Sequence, residues 1–106
     1  MPVPEIDIDE FARRRDAGAP VIDVREPDEY QEAHVPGAVL IPLATVPDRL
    51  DDVPEGDVLV ICRSGARSMR AAEFLATKGV SATNVAGGTL AWIESGRPVA
   101  EGDEPG

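Results

Sequence analysis

Cys62 is the only cysteine in the chain, and it directly follows the apolar run Val58-Leu59-Val60-Ile61. Behind it come Arg63, Ser64, Gly65, Ala66, Arg67 and Ser68. Between Val58 and Ala72 the chain holds Arg63, Arg67 and Arg70 and no acid, within a protein of formal net charge -10. The chemistry open to such a segment is that of a thiolate. Guanidinium groups and a helix amino terminus stabilise the charged form of a thiol, lowering its pKa from ~8.5 toward or below neutrality and making it a usable nucleophile. Ser64, Gly65 and Ala66 are small enough for the backbone to curl round the sulfur with its N–H groups inward, as an anion-binding nest. The bland alternative is a buried, inert thiol, since free cysteine is among the most buried residue types. Three arginines, a loop of small residues and a following helix together favour the functional reading.

A loop of this kind needs a strand before it and a helix after it. The sequence alternates short β-branched apolar runs with helical stretches, the pattern of a parallel α/β sheet. Strands are expected at 20–24, 38–41, 57–61 and 82–85, with Ile6-Asp7-Ile8 as a short edge strand. A helix from Glu10 to Ala17 is expected after an Asp9 cap and before Gly18, and Asp28-Glu29-Tyr30 opens a shorter one. The clearest helix runs from Ala66 to Lys78, with Met69, Ala72, Phe74, Leu75 and Ala76 as its core stripe and Gly79 as its C-terminal cap. A last helix follows Gly87-Gly88, carries Leu90, Trp92 and Ile93, and is broken by Gly96-Arg97-Pro98. Ligands of parallel sheets bind outside the carboxyl ends of the strands, beside helix amino termini. Cys62 falls at such an end.

The 106 residues suit one core, with residues 1–100 as a single domain and 101–106 as a flexible acidic tail. Hydrophobic residues at 42% and charged residues at 28% fit an ordinary globular domain. Against 10 Lys+Arg stand 20 Asp+Glu, so nucleic acid and anionic membranes are disfavoured as partners. No apolar run approaches the ~20 residues that span a bilayer, and MPVPEIDIDE lacks the features of a signal peptide, so a cytoplasmic location is expected. One Cys and one His are too few for a zinc site, and no metal is expected.

CRSGARS after VLVI resembles the active-site loop of the rhodanese family of sulfurtransferases. VIDVREPDEYQEAHVPGAVLIPL resembles the family's amino-terminal signature, and NVAGGTLAW its carboxyl-terminal one. The matches run from Val21 to Trp92 in the family's order, with Ala33 where Gly usually precedes the His and Leu40 where Asn is frequent. The resemblance implies a three-layer rhodanese-like fold, a sheet of about five parallel strands with helices on both faces, in the single-domain form. It further implies a thiosulfate sulfurtransferase-like enzyme whose Cys62 cycles between thiolate and persulfide, with no cofactor. A small anionic donor such as thiosulfate would be held by Arg63, Ser64, Gly65, Ala66, Arg67 and Ser68. Cyanide, a thiol or a carrier protein would accept the sulfur. Asp23 and Arg25 match a strand-end motif that braces the neighbouring loop.

Other features have plainer readings. His34, the only histidine, precedes Val35-Pro36-Gly37 and fits a structural hydrogen bond in a turn better than a Cys/His dyad. Gly87-Gly88 lacks the spacing of a nucleotide-binding turn and reads as a tight bend. Phe11, Phe74 and Trp92 read as core anchors, and Arg13-Arg14-Arg15, flanked by Glu10 and Asp16, as a solvated helix face. The enzymatic rival is a cysteine phosphatase or arsenate reductase, whose loop places five residues between Cys and Arg. Here four separate Cys62 from Arg67, and Ser68 stands where the longer loop needs Arg. A non-catalytic regulatory module and a thiol redox sensor are the remaining alternatives.

Overall fold

The computed structural model describes residues 3–106. Its strands are β1 (Glu5–Ile6), β2 (Val21–Asp23), β3 (Val39–Leu40), β4 (Val58–Ile61) and β5 (Ala82–Val85). Its helices are α1 (Ile8–Asp16), α2 (Pro27–Glu32), α3 (Ala66–Thr77) and α4 (Gly88–Glu94). All strand pairs are parallel, in the order β1-β5-β4-β2-β3. β4 lies at the centre, and its carboxyl end delivers Cys62.

Alternation along β4 divides the core. Val58, Val60 and Cys62 face one side and join Ile22, Val24, Ala71, Ala72 and Leu75, so α3 covers that face. Leu59 and Ile61 face the other and join Val21, Phe11, Val85 and Trp92 beneath α1 and α4. Phe11 and Trp92 meet edge to face at 5.6 Å. A fully buried Leu75 or Phe11 contributes about 1.5–3 kcal/mol of transfer free energy, so both faces of the sheet are anchored. The result is the expected three-layer α/β fold with five parallel strands and helices on both faces.

Several expectations are corrected. Helix α1 is capped by Asp7, whose carboxylate accepts the Glu10 N–H at 2.9 Å, not by Asp9. Ile8 is therefore helical, and β1 ends at Ile6, because a cap requires extended backbone directly before the first turn. On α3, Ala76 is exposed and Phe74 and Met69 are half-buried, since the helix turns Ala71, Ala72 and Leu75 to the sheet. On α4 only Trp92 of the three apolar residues is buried; Leu90 and Ile93 are 39% and 46% exposed. Two 3-10 turns, Leu43–Asp48 and Leu50–Asp52, fill a stretch that carried no helical periodicity.

The segment 101–106 does not hang free. The N–H of Gly102 donates to Gln31 O at 2.8 Å, the N–H of Gly37 donates to Pro105 O at 2.8 Å, and His34 Nε2 lies 2.9 Å from Glu104 O. Just before it, Ala100 forms an antiparallel bridge with His34. Backbone pairing docks the segment without the apolar anchor whose absence pointed to a frayed tail.

Candidate active site

Three elements fix the Cys62 loop. β4 ends at Ile61 and α3 begins at Ala66, leaving Cys62 to Gly65 to make the turn. Gly65 caps α3 at φ 117, a conformation that favours glycine. Helix α4 holds the turn from the side: the N–H and the hydroxyl of Thr89 donate to Cys62 O at 2.8 and 3.0 Å, and the N–H of Leu90 donates to Arg63 O at 3.1 Å. This approach depends on Gly88, at φ 56, where a Cβ would stand 2.4 Å from Cys62 O and 2.6 Å from Arg63 O.

Cys62 is 1% exposed, and its sulfur is met by hydrogen-bond donors. The N–H of Gly65 donates to Sγ at 3.0 Å, and the Ser68 hydroxyl lies 3.3 Å from it. Burial pushes the thiol up, but donation from the Ser68 hydroxyl and from the N–H groups of Ser68, Gly65 and Ser64 outweighs it. The thiol therefore sits below its ordinary pKa. The donors that lower it are loop amides and a hydroxyl. Asn84 supports them from β5: its Oδ1 accepts from Ser68 Oγ at 2.5 Å, while its Nδ2 donates to Glu5 Oε2 and Gly65 O.

The arginines have different places. Arg67 is bound in a two-pronged ion pair by Glu29 of α2, Nη1 to Oε1 at 2.7 Å and Nη2 to Oε2 at 2.9 Å. The Arg67 guanidinium, joined by the N–H of Glu26, holds the Glu29 carboxyl down at about 2 against desolvation. Arg63 and Arg70 are exposed and have no ion-pair partner among the described residues. Asp23 and Arg25 form a buried pair, 2.9 Å apart, and Arg25 Nη2 also donates to Ala33 O at 2.8 Å. They thus brace segment 23–33 next to the strand end.

Beside the loop lies a cleft of about 390 Å³ lined by Arg25, Glu29, Glu32, Ala33, Arg63, Thr89 and Leu90. Cys62 is not among the residues that line it, although its neighbour Arg63 is. His34 is buried, its Nδ1 2.8 Å from Tyr30 O and its ring stacked on Tyr30, in keeping with a structural role. The sequence reading missed Glu29, Asn84 and Thr89. Glu29 and Arg67 are 38 residues apart, and nothing local to either announces the pair.

Fold and site define the class: an α/β domain presenting one cysteine in a donor-lined loop between the central strand and a helix. A family model, Rhodanese-like domain, matches residues 7–95, and the chain belongs to that family. A sulfurtransferase of Allochromatium vinosum is 36% identical over 81 residues, 74% of this chain and 76% of that protein. Thiosulfate sulfurtransferase PspE of Escherichia coli is 43% identical over 70 residues, covering 63% of this chain and 67% of that protein. The putative sulfur carrier protein YrkF of Bacillus subtilis is 38% identical over 85% of this chain, which spans 51% of its length. Among solved structures, a rhodanese-related protein of Thermoplasma volcanium superposes with a TM-score of 0.85 at 32% identity, over 92% of this chain and 97% of that one.

Proposed function

We propose that the protein is a sulfurtransferase that carries a sulfane sulfur on Cys62 as a persulfide. The observation that carries the reading is the convergence of the Gly65 N–H and the Ser68 hydroxyl on a buried sulfur whose thiol is held below its ordinary pKa. The Cys62 thiolate attacks the outer sulfur of thiosulfate, the new Sγ–S bond forms, and sulfite leaves with the electron pair of the broken S–S bond. The negative charge then rests on the outer sulfur, within reach of the loop donors. A thiol, cyanide or a carrier protein attacks that sulfur next and returns Cys62 as thiolate. Names such as sulfurtransferase and sulfur carrier protein among the relatives support this.

In this reading Ser64, Gly65, Ala66 and Ser68 form the cradle, Arg63 meets the donor, and Arg67 holds the loop through Glu29. The cycle needs a reduced Cys62, which fits the cytoplasm. The phosphatase reading is disfavoured by Arg67, whose two-pronged pairing with Glu29 takes it away from a bound oxyanion.

Incubation with thiosulfate followed by intact mass is the test. One added sulfur, lost on addition of cyanide with release of thiocyanate, is the expected outcome. Cys62→Ser should take up none and keep less than about a hundredth of the turnover, because a serine hydroxyl cannot form the persulfide. Uptake by the serine variant, or hydrolysis of p-nitrophenyl phosphate without sulfur uptake, would overturn the assignment.

A further inference from the structure

Asn84 is a polar residue in an apolar setting. It lies on β5 two residues beyond Ala82, so both face α3, and it is wholly buried. Its register partner on β4 is Val60, a core residue. An aliphatic side chain would suit that place at lower cost, because a buried amide must find partners for its polar atoms. Asn84 finds them at the Cys62 loop and on one edge strand. Its Nδ2 donates to Glu5 Oε2 at 2.8 Å and to Gly65 O at 3.2 Å. Both partners are acceptors only, so the amide is held one way round, with Oδ1 turned to the Ser68 hydroxyl 2.5 Å away. That hydroxyl has one hydrogen, and Cys62 Sγ lies 3.3 Å from the same oxygen. The Asn84 carbonyl and the sulfur therefore compete for a single hydrogen.

We propose that Asn84 is a positioning residue for the reaction of Cys62: its Oδ1 holds the Ser68 hydroxyl hydrogen while the sulfur is a neutral thiol and yields it when the sulfur becomes charged. Its part in turnover rests on the sulfur transfer proposed for Cys62, whereas the competition itself is readable on the thiol. Holding the hydrogen back favours the neutral form, and a thiolate less tightly bound by donors is the better nucleophile. No covalent bond changes; the hydroxyl turns about its Cβ–Oγ bond. The charges around Cys62 leave this route clear. Arg67 of α3 is paired with Glu29 of α2, Asp23 of β2 with Arg25, and Arg63 of the loop is exposed. Helix α4 contributes the N–H and hydroxyl of Thr89, both on Cys62 O. Replacing Asn84 frees one charge, the exposed Glu5 carboxylate of β1, and a negative charge would raise the Cys62 midpoint. Loss of the competing acceptor lowers it.

The rate of iodoacetamide alkylation against pH, on the full chain, gives the Cys62 midpoint and the plateau rate of the thiolate. In Asn84→Leu the acid dissociation constant of Cys62 should rise about threefold, a fraction of one neutral hydrogen bond. The plateau rate should fall to about two thirds, and single-turnover sulfur uptake from thiosulfate above the midpoint should slow in the same proportion. In Ser68→Ala, adding Asn84→Leu should move neither midpoint nor plateau, because the amide acts through that hydroxyl. A second measurement leaves Asn84 in place: in wild type its side-chain amide NMR signals should shift with the alkylation midpoint, and in Ser68→Ala they should not. A midpoint that stays or rises in Asn84→Leu, a shift that persists without Ser68, or amide signals that ignore the midpoint overturns the proposal. Midpoint effects as expected in a wild type that takes up no sulfur overturn sulfur transfer, and with it the part of Asn84 in turnover.

Discussion

Ser68 has a single hydroxyl hydrogen and three acceptors in reach: Cys62 Sγ at 3.3 Å, Gly65 O at 3.2 Å and Asn84 Oδ1 at 2.5 Å. A thiolate competes for that hydrogen better than a neutral thiol does, so ionisation of Cys62 and rotation of the hydroxyl are linked. Ser68→Ala removes the donor, and the Cys62 titration midpoint should rise. At pH 7 the thiolate fraction then falls, and the rate of iodoacetamide alkylation against pH reads the shift directly. Arg67→Ala should move the midpoint less, because its charge is already balanced by Glu29. Cys62 and its loop were legible in the sequence because their residues are contiguous: strand, sulfur, small residues and helix follow one another within one segment. The Asn84 and Glu29 contacts were not, since each side chain finds its partner only after the sheet and helices have assembled.

The link between α2 and α3 is made by Glu29 and Arg67, whose side chains are 27% and 34% exposed. With such exposure the pair contributes about 1 kcal/mol. Folding lowers the Glu29 carboxyl from 4.5 to about 2, so its contribution is complete above about pH 4.5 and is lost as the pH falls toward 2. Thermal melts of wild type and Glu29→Gln should therefore differ at pH 7 and converge near pH 2. The approach of α4 to the loop gives a second test. At Gly88 a side chain would meet the backbone of Cys62 and Arg63, whereas at Gly79, with φ of 81, nothing lies within 4 Å. Gly79→Ala should cost about 1 kcal/mol for the left-handed backbone alone, and Gly88→Ala about 3 kcal/mol or more in denaturant melts, with loss of Cys62 reactivity. The Gly87-Gly88 bend was readable as a strand-to-helix turn. That it seats α4 on the carbonyls of the Cys62 loop is a tertiary fact that no local pattern encodes.

At the scale of the whole molecule, the segment after Ala100 ties the back of α2 to the domain, through Gln31 O and through His34, which also contacts Tyr30 O. Deleting residues 101–106 removes these hydrogen bonds and opens a buried imidazole to water. A loss of about 2 kcal/mol is expected, seen as a lower Tm, with Glu29 and the cleft wall loosened alongside. The fold class was legible because apolar runs and helical stretches alternate along the whole chain. The docked segment was not, because backbone hydrogen bonds carry no side-chain signal. The sheet's margins have a further consequence. Its outermost strands, β1 and β3, are two residues each, and Glu5 stands on one of them. So short a border offers almost no template for another chain to add a strand. Together with the mutual repulsion of copies bearing a charge of -10, this makes the folded protein resistant to edge-to-edge aggregation even when concentrated, and leaves the unfolded chain as the route by which it would precipitate.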